Sequence, residues 1–404
     1  MSEQIPEIKE QKRILGLPKN IFFLGLTSLF NDFSSEMVFA VFPAFFTSVL
    51  KAGAASLGLV DGVAEGLSNF FKIFSGSFSD KFQSRKPLIV FGYVFSVLTR
   101  PFYIFTSTVG AALGLRVADR IGKGFRDPPR DAIISLSSPK EELGRSFGYH
   151  RAMDTMGSIL GPLVAYLILR FYPLHFNTVF LTAFFVGILT IVTLFFISDV
   201  AIKNAKAKTS FISGFKNLSG KFKLFIIAIF ILSIGSLPIA VMLLKTESIG
   251  LMIADIPLFY MIYNLSYAGF SMFAGKMSDK FGTRIIIFIG YFILLISYFF
   301  LNLAHSPWIL AFSFLLLGLF PALTDGVQRS LTAKISDNEV RGSAMGLLNA
   351  AVGFGALIAG IGGGFLWQAY GSTTAFLVSG GIVILGLIFF AISTMWKSKK
   401  SFVV

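Results

Sequence analysis

Twelve apolar runs, each about 20 residues long, set the terms on which this chain can fold. A helical run of that length, at about 1.5 Å per residue, matches the roughly 30 Å of hydrocarbon in a bilayer. The runs fall near 21–50, 54–78, 87–106, 108–136, 146–169 and 176–198, then near 224–244, 256–277, 285–303, 307–333, 343–367 and 373–396. In hydrocarbon a backbone must satisfy its own hydrogen bonds, which a single run does only as a helix. Composition agrees: 54% of the side chains are hydrophobic, 14% are charged, and mean hydropathy is +0.76. Soluble domains carry about a quarter charged residues, and a 404-residue globule with so few could not cover its surface. Soluble, nucleic-acid-binding and disordered classes are therefore excluded. The expected fold is an all-α polytopic membrane protein, with twelve transmembrane helices in two pseudo-symmetric six-helix bundles.

The break between the sixth and seventh runs carries Lys203, Lys206, Lys208, Lys216, Lys221 and Lys223. It divides the chain into an N-terminal bundle (1–198), a linker (199–223) and a C-terminal bundle (224–404). Basic residues are unevenly shared between alternate loops. One side has only Lys51, Arg170 and Lys245, and the other side has the rest of the loop lysines and arginines. Such residues collect in cytoplasmic loops, which places both termini and the linker inside. The net charge of +14 is thus first a statement about orientation. Trp308, Trp367 and Trp396 fall at run ends, where an amphipathic ring belongs. The chain has no cysteine and only three scattered histidines, so no metal site is expected and no cofactor is implied. The expected setting is a multi-pass plasma membrane, the inner membrane of a bacterium, with the protein as a monomer among lipid.

The halves repeat each other. GSFSDKF from Gly76 matches GKMSDKF from Gly275, and SPKEELGRSFGYHRA from Ser138 aligns with SDNEVRGSAMGLLNA from Ser336. Internal repeats of this kind mark transporters whose site lies between two bundles near the midplane. Gly76, Asp80, Lys81 and Arg85, echoed by Gly275, Asp279, Lys280, Gly282 and Arg284, resemble the loop motif of the major facilitator superfamily, with Gln83 in the first copy departing from it. Arg116 with Gly122 and Gly124 looks like that family's fourth-helix arginine motif. Gly157, Gly161 and Pro162 in the fifth helix are similar to a motif of its drug/proton antiporters. The resemblance implies a secondary transporter working by alternating access, with Asp80, Arg85, Asp279 and Arg284 in gating. Gly157 and Gly161 also read as small-residue helix packing, as do the glycines between Gly353 and Gly364.

Ionisable residues within spans cost about 2.5–3.5 kcal/mol each at a helix centre, and so face cavities and act there. The first helix has Asp32 and Glu36, and the second has Asp61 and Glu65, each pair spaced to share one helix face. The fourth carries Arg116, Asp119, Arg120, Lys123, Arg126, Asp127, Arg130 and Asp131, on an arc of roughly 140°. A plainer reading ends that helix near residue 118 and leaves the remainder as a loop. Pro128 and Pro129 are expected to kink its inner end. Asp154, with His150 and Arg151, adds a fifth-helix group. In the second half only Asp325 and Arg329 persist, spaced to satisfy each other.

Asp32, Glu36, Asp61, Glu65, Arg116, Asp119, Arg120 and Asp154 are the candidate proton-coupling and substrate-cavity residues. The expected function is proton-coupled export of a small organic solute by antiport. The alternatives are proton-coupled uptake of an anionic metabolite or siderophore-like chelate and, more remotely, a non-transporting sensor. No nucleophile–base pair stands in a catalytic context, so no enzyme is expected. A plainer reading has the acids only neutralising the basic fourth helix.

Overall fold

The computed structural model describes residues 13–82, 84–139, 142–199, 220–336 and 341–395. The first half contains α1 (Lys19–Ser48), α2 (Ala54–Phe82), α3 (Lys86–Phe102, extended by a 3-10 turn at Tyr103–Phe105), α4 (Val109–Leu136), α5 (Leu143–Phe171) and α6 (Phe176–Phe195). The second contains α7 (Gly220–Ile234), the short α8 (Ile239–Leu243) and α9 (Lys245–Ser248), then α10 (Ile256–Phe281), α11 (Thr283–Asn302) and α12 (Pro307–Ile335). A last helical stretch, Arg341–Met395, is broken at Gly371 (φ 86°, ψ 166°) into α13 (341–370) and α14 (372–395). The only strands among the described residues are β1 (Arg13–Ile14) and β2 (Leu17–Pro18), an antiparallel hairpin ahead of α1.

Local chemistry fixes several helix ends. Thr108 accepts the Ala111 N–H at 3.2 Å to start α4, and Ser306 with Pro307 starts α12. Asp199, beyond α6, caps α3 from outside it, its carboxylate accepting the Arg85 N–H (3.1 Å), the Lys86 N–H (3.2 Å) and the Ser84 hydroxyl (2.6 Å). Asp199 thus ties the end of the first six helices back onto α3. The linker residues 200–219 lie outside the described residues.

The fourth run is one continuous 28-residue helix that passes through Pro128 and Pro129, so the shorter alternative is overturned. The seventh run also departs from expectation. It is not one helix over 224–244: the helix stops at Ile234 and resumes at Ile239. Pro238 cannot donate to the preceding turn, and Gly235 packs on the Ser379 carbonyl and the Val383 side chain. The freed backbone groups are not orphaned. The Tyr298 hydroxyl from α11 accepts the Leu237 N–H at 2.8 Å and donates to the Gly235 carbonyl at 2.9 Å. One phenol closes the break in a region where water is scarce.

Seven stretches among the described residues are long and apolar enough to cross a membrane, the last holding both α13 and α14. α1, α2, α4 and α10 have the length but not the uniform apolarity. These four carry polar faces, and the packing turns those faces on one another. α1 lies on α5 and α6, α2 and α3 on α4, and α10 on α12 and α5, while α2 runs along α13. The α2–α13 seam is backbone on backbone: Gly58, Gly62 and Gly66 meet Gly353, Gly360 and Gly364.

The face where α1 begins and α14 ends is called here the terminal face, and the other the far face. At the far face Thr47 donates to Glu247 (2.7 Å) and the Ala55 N–H to Gln368 (3.0 Å), joining the two halves. Burial pushes the Glu247 carboxyl above the usual glutamate range, against the pull of the Thr47 hydrogen bond, and pushes the neighbouring Lys245 ammonium down.

Candidate polar site between the helices

Two glycines build the site. On α5, Gly157 sits against the Leu29 carbonyl, the Phe33 N–H and the Asp32 Cβ, and Gly161 against the Phe33 carbonyl, the Met37 N–H and the Glu36 Cβ. A side chain at either position would push α1 away. Without one, the α1 turn that bears Asp32 and Glu36 rests on the α5 backbone, so the packing reading of these glycines and the polar site are one arrangement.

The charges are layered. Nearest the far face, Arg116 donates to Asp61 at 3.0 Å, approaches Asp119 at 3.8 Å and stacks over the Phe39 ring at 4.4 Å. Asp119 accepts from the Ser96 hydroxyl of α3. One turn nearer the terminal face, Arg120 pairs with Glu65 at 3.6 Å, and the Glu65 side chain keeps 38% of its exposure. At that level Glu36 accepts the Tyr260 hydroxyl from α10 at 2.6 Å, and Asp32 accepts the Asn31 amide at 3.0 Å. Lower still, Asp154 accepts the Ser28 hydroxyl, with His150 at 3.9 Å and Arg151 at 3.8 Å. Asp127 gathers Lys72 (3.6 Å), Arg126 (3.9 Å) and Arg130 (3.3 Å).

Asp32, Glu36, Asp61, Glu65, Arg116, Asp119, Arg120 and Asp154 therefore converge on α1, α2, α4 and α5 and do not point to lipid. Their partners separate them into two groups. Asp61, Glu65, Asp119 and Asp154 each have a basic group within 4.0 Å. Asp32 and Glu36 have no ion pair among the described residues and are bound only by an amide and a phenol.

The second half reaches the same space with an aromatic ladder. Tyr260, Tyr263 and Tyr267 lie along one face of α10, with ring centroids 5.8 and 6.4 Å apart, and Tyr260 also meets Phe39 at 5.0 Å. Arg151 of α5 donates to the Tyr267 hydroxyl at 2.7 Å, which donates to Asp325 of α12 at 3.1 Å. Asn264 donates to the Ser158 carbonyl at 3.0 Å. This corrects the expectation for Asp325 and Arg329. Their spacing allows a pair within α12, but Asp325 is held by Tyr267, and no ion pair to Arg329 forms among the described residues.

Of the gating candidates, the Asp80 side chain lies outside the described residues. Asp279 is exposed and faces Lys334 at 3.5 Å, Arg284 opens α11, and Arg85 is buried beside the Asp199 cap. Among the described residues no group of acids and histidines is placed to hold a metal ion.

Arg100 is the residue that sequence reasoning missed. It is 1% exposed on α3 and donates to the Asn31 side-chain oxygen at 3.2 Å, while its Nε and Nη1 have no hydrogen-bond partner among the described residues. An arginine has only donors, so it fixes the Asn31 oxygen towards itself and the amide nitrogen towards Asp32. Gly187 of α6 leaves it room, since a Cβ there would lie 2.7 Å from Nη1. A lone arginine within the otherwise apolar third run was the available signal.

A family model, the Major Facilitator Superfamily, matches residues 24–263 and 224–401. An uncharacterized MFS-type transporter of Methanocaldococcus jannaschii is 36% identical over 386 residues, covering 91% of this chain and 95% of the relative. The multidrug resistance protein MdtH of Baumannia cicadellinicola is 24% identical over 374 residues, covering 89% of this chain and 86% of its own. Among solved structures, the nucleoside transporter NupG superposes with a TM-score of 0.78 at 16% identity, over 93% of this chain and 99% of that one.

Proposed function

The chain belongs to the major facilitator superfamily, as a membrane-spanning transporter and not an enzyme, and we propose that within it the protein exports small organic solutes in exchange for protons. The observation that carries this reading is the pair Asp32 and Glu36. They are half-buried carboxylates without an ion pair among the described residues, seated beside Phe39 and the tyrosine ladder. A carboxylate in that position can hold a proton or the cationic group of an amphipathic solute, but not both. Competition for one site is the requirement for antiport. The paired acids around Arg116 and Arg120 hold the bundle together and set the field in which the exchange occurs. MdtH, a relative, is named as a multidrug resistance protein, which favours outward movement.

The two halves, 1–198 and 224–404, act as the rocking bundles, with both termini cytoplasmic and the protein a monomer in the plasma membrane. Asp80, Arg85, Asp279 and Arg284 serve the gate at the terminal face. A membrane potential of 100 mV contributes about 2.3 kcal/mol per charge moved. In proteoliposomes, an imposed pH gradient should drive solute against its concentration gradient. Asp32→Asn together with Glu36→Gln should abolish that drive and weaken solute binding, while the melting temperature shows the variant still folded. Gradient-driven transport that survives in the double variant would refute the reading. A second reading, symport of an anionic metabolite or chelate, is favoured by Lys123 and Arg329, basic residues in the spans without ion pairs among the described residues. It predicts uptake driven by the same gradient.

A further inference from the structure

Unpaired charges of both signs face the space between the halves. The acids are Asp32 and Glu36 of α1, as described. The bases are Lys123 of α4 and Arg329 of α12, neither with a hydrogen bond or ion pair among the described residues. Every other basic residue of α4 has an acid within 4.0 Å. Lys123 lies one turn beyond Arg120, the partner of Glu65, on the same face of α4, and Arg329 lies one turn beyond Asp325, the carboxylate that Tyr267 holds, on the same face of α12. The space therefore carries basic groups as well as acidic ones. Tyr263 is stacked between Tyr260 and Tyr267 in the ladder.

Arg329 is exposed and Lys123 half-buried here, but once the halves close over a purely cationic solute and shut out water, the acids would be satisfied and Lys123 and Arg329 left without partners. A purely anionic solute would do the reverse. Each unmet charge is costly where the dielectric is low. We infer that the transported solute is an aromatic or apolar zwitterion, with its amine on Asp32 and Glu36, its carboxylate on Lys123 and Arg329, and its body on the tyrosine ladder. The inference rests on the exchange role proposed for Asp32 and Glu36. It also makes antiport compatible with an anionic group, because only the amine end competes with protons.

The test is binding to the purified full-length protein by isothermal titration calorimetry, using three probes of similar shape: 4-(2-aminoethyl)benzoate, 2-phenylethylamine and 4-ethylbenzoate. The zwitterion should bind at least tenfold tighter than either single-charge probe. Lys123→Met or Arg329→Gln should bring it down to the level of the amine without weakening amine binding. Asp32→Asn should bring it down to the level of the benzoate. Equal binding of the three probes by the natural protein, absence of binding, or an undiminished zwitterion preference in both basic-residue variants would overturn the inference. Proton release on amine binding, measured in two buffers of different ionisation enthalpy, reports separately on the exchange role. If no proton is released, that role fails even where the zwitterion preference stands.

Discussion

Gly360→Ala is the sharpest test of the seam between α2 and α13. The new Cβ would meet the Gly58 carbonyl oxygen first, at 2.4 Å, then the Gly62 Cα at 2.7 Å and its nitrogen at 3.0 Å, whereas ordinary contacts begin at 3.4 Å. All three neighbours are backbone atoms, so no rotamer change relieves the clash, and the helices must part by about 1 Å along this line. Overpacking of this kind costs about 1–3 kcal/mol. The cost falls on the arrangement in which α2 and α13 touch, and a bias of that size displaces a two-state equilibrium by about 5- to 150-fold. Gly362→Ala on the same helix is the control, because a Cβ there meets nothing within 4 Å. The chain has no cysteine, so a single cysteine in place of Gln368, whose amide oxygen caps Ala55 across the seam, gives a clean reporter. Its labelling by a membrane-impermeant maleimide should accelerate at least fivefold in Gly360→Ala and not in Gly362→Ala. Equal labelling and equal melting temperatures in the two variants would refute the seam as a moving contact.

Three further outcomes are expected. Arg116→Met or Asp61→Asn alone should each lower stability by about 3–5 kcal/mol through an uncompensated buried charge. Arg116→Met with Asp61→Leu should recover most of that loss in thermal melts in detergent. Tyr298→Phe removes the hydroxyl that serves both Gly235 and Leu237, and should cost about 1–3 kcal/mol in the same assay without a change in helix content by circular dichroism. At Glu247 burial raises the carboxyl in the folded protein, so the folded state holds the proton more tightly than the unfolded one. Stability should therefore fall as pH rises through the shifted value, and return on acidification below the usual glutamate range. Glu247→Gln should flatten the melting-temperature profile in that window. A profile of unchanged slope would count against burial as the cause.

The membrane class and the positions of the helices were legible because length and hydropathy answer directly to the bilayer. α4 shows the reach of that signal: eight charged residues did not break it, because they share one face and the repeat pairs it with α12. Position along the chain was less informative wherever a partner came from elsewhere. Asp325 and Arg329 have the right spacing for a pair, but a tyrosine from α10 takes the aspartate, and no rule confined to one helix registers it. Arg100 lies in an apolar run that tolerates one charge without losing its character. The break in the seventh run had its signal in Gly235 and Pro238, but the fact that makes it stable is a hydroxyl more than sixty residues further on. Gly157 and Gly161 were visible as a motif, whereas what they press against was not.

That last contact has a mechanical consequence. Where side chains separate two helices, rotamer exchange gives the joint some slack, and a small movement of one helix can be absorbed before it reaches the other. Between α5 and the Asp32–Glu36 turn of α1 there is nothing to absorb it, since main chain bears on main chain. The carboxylates are located as firmly as the helices that carry them, and a tilt of α5 moves both together. The joint works as a rigid linkage, and it converts a rigid-body swing into a change of surroundings for two carboxylates.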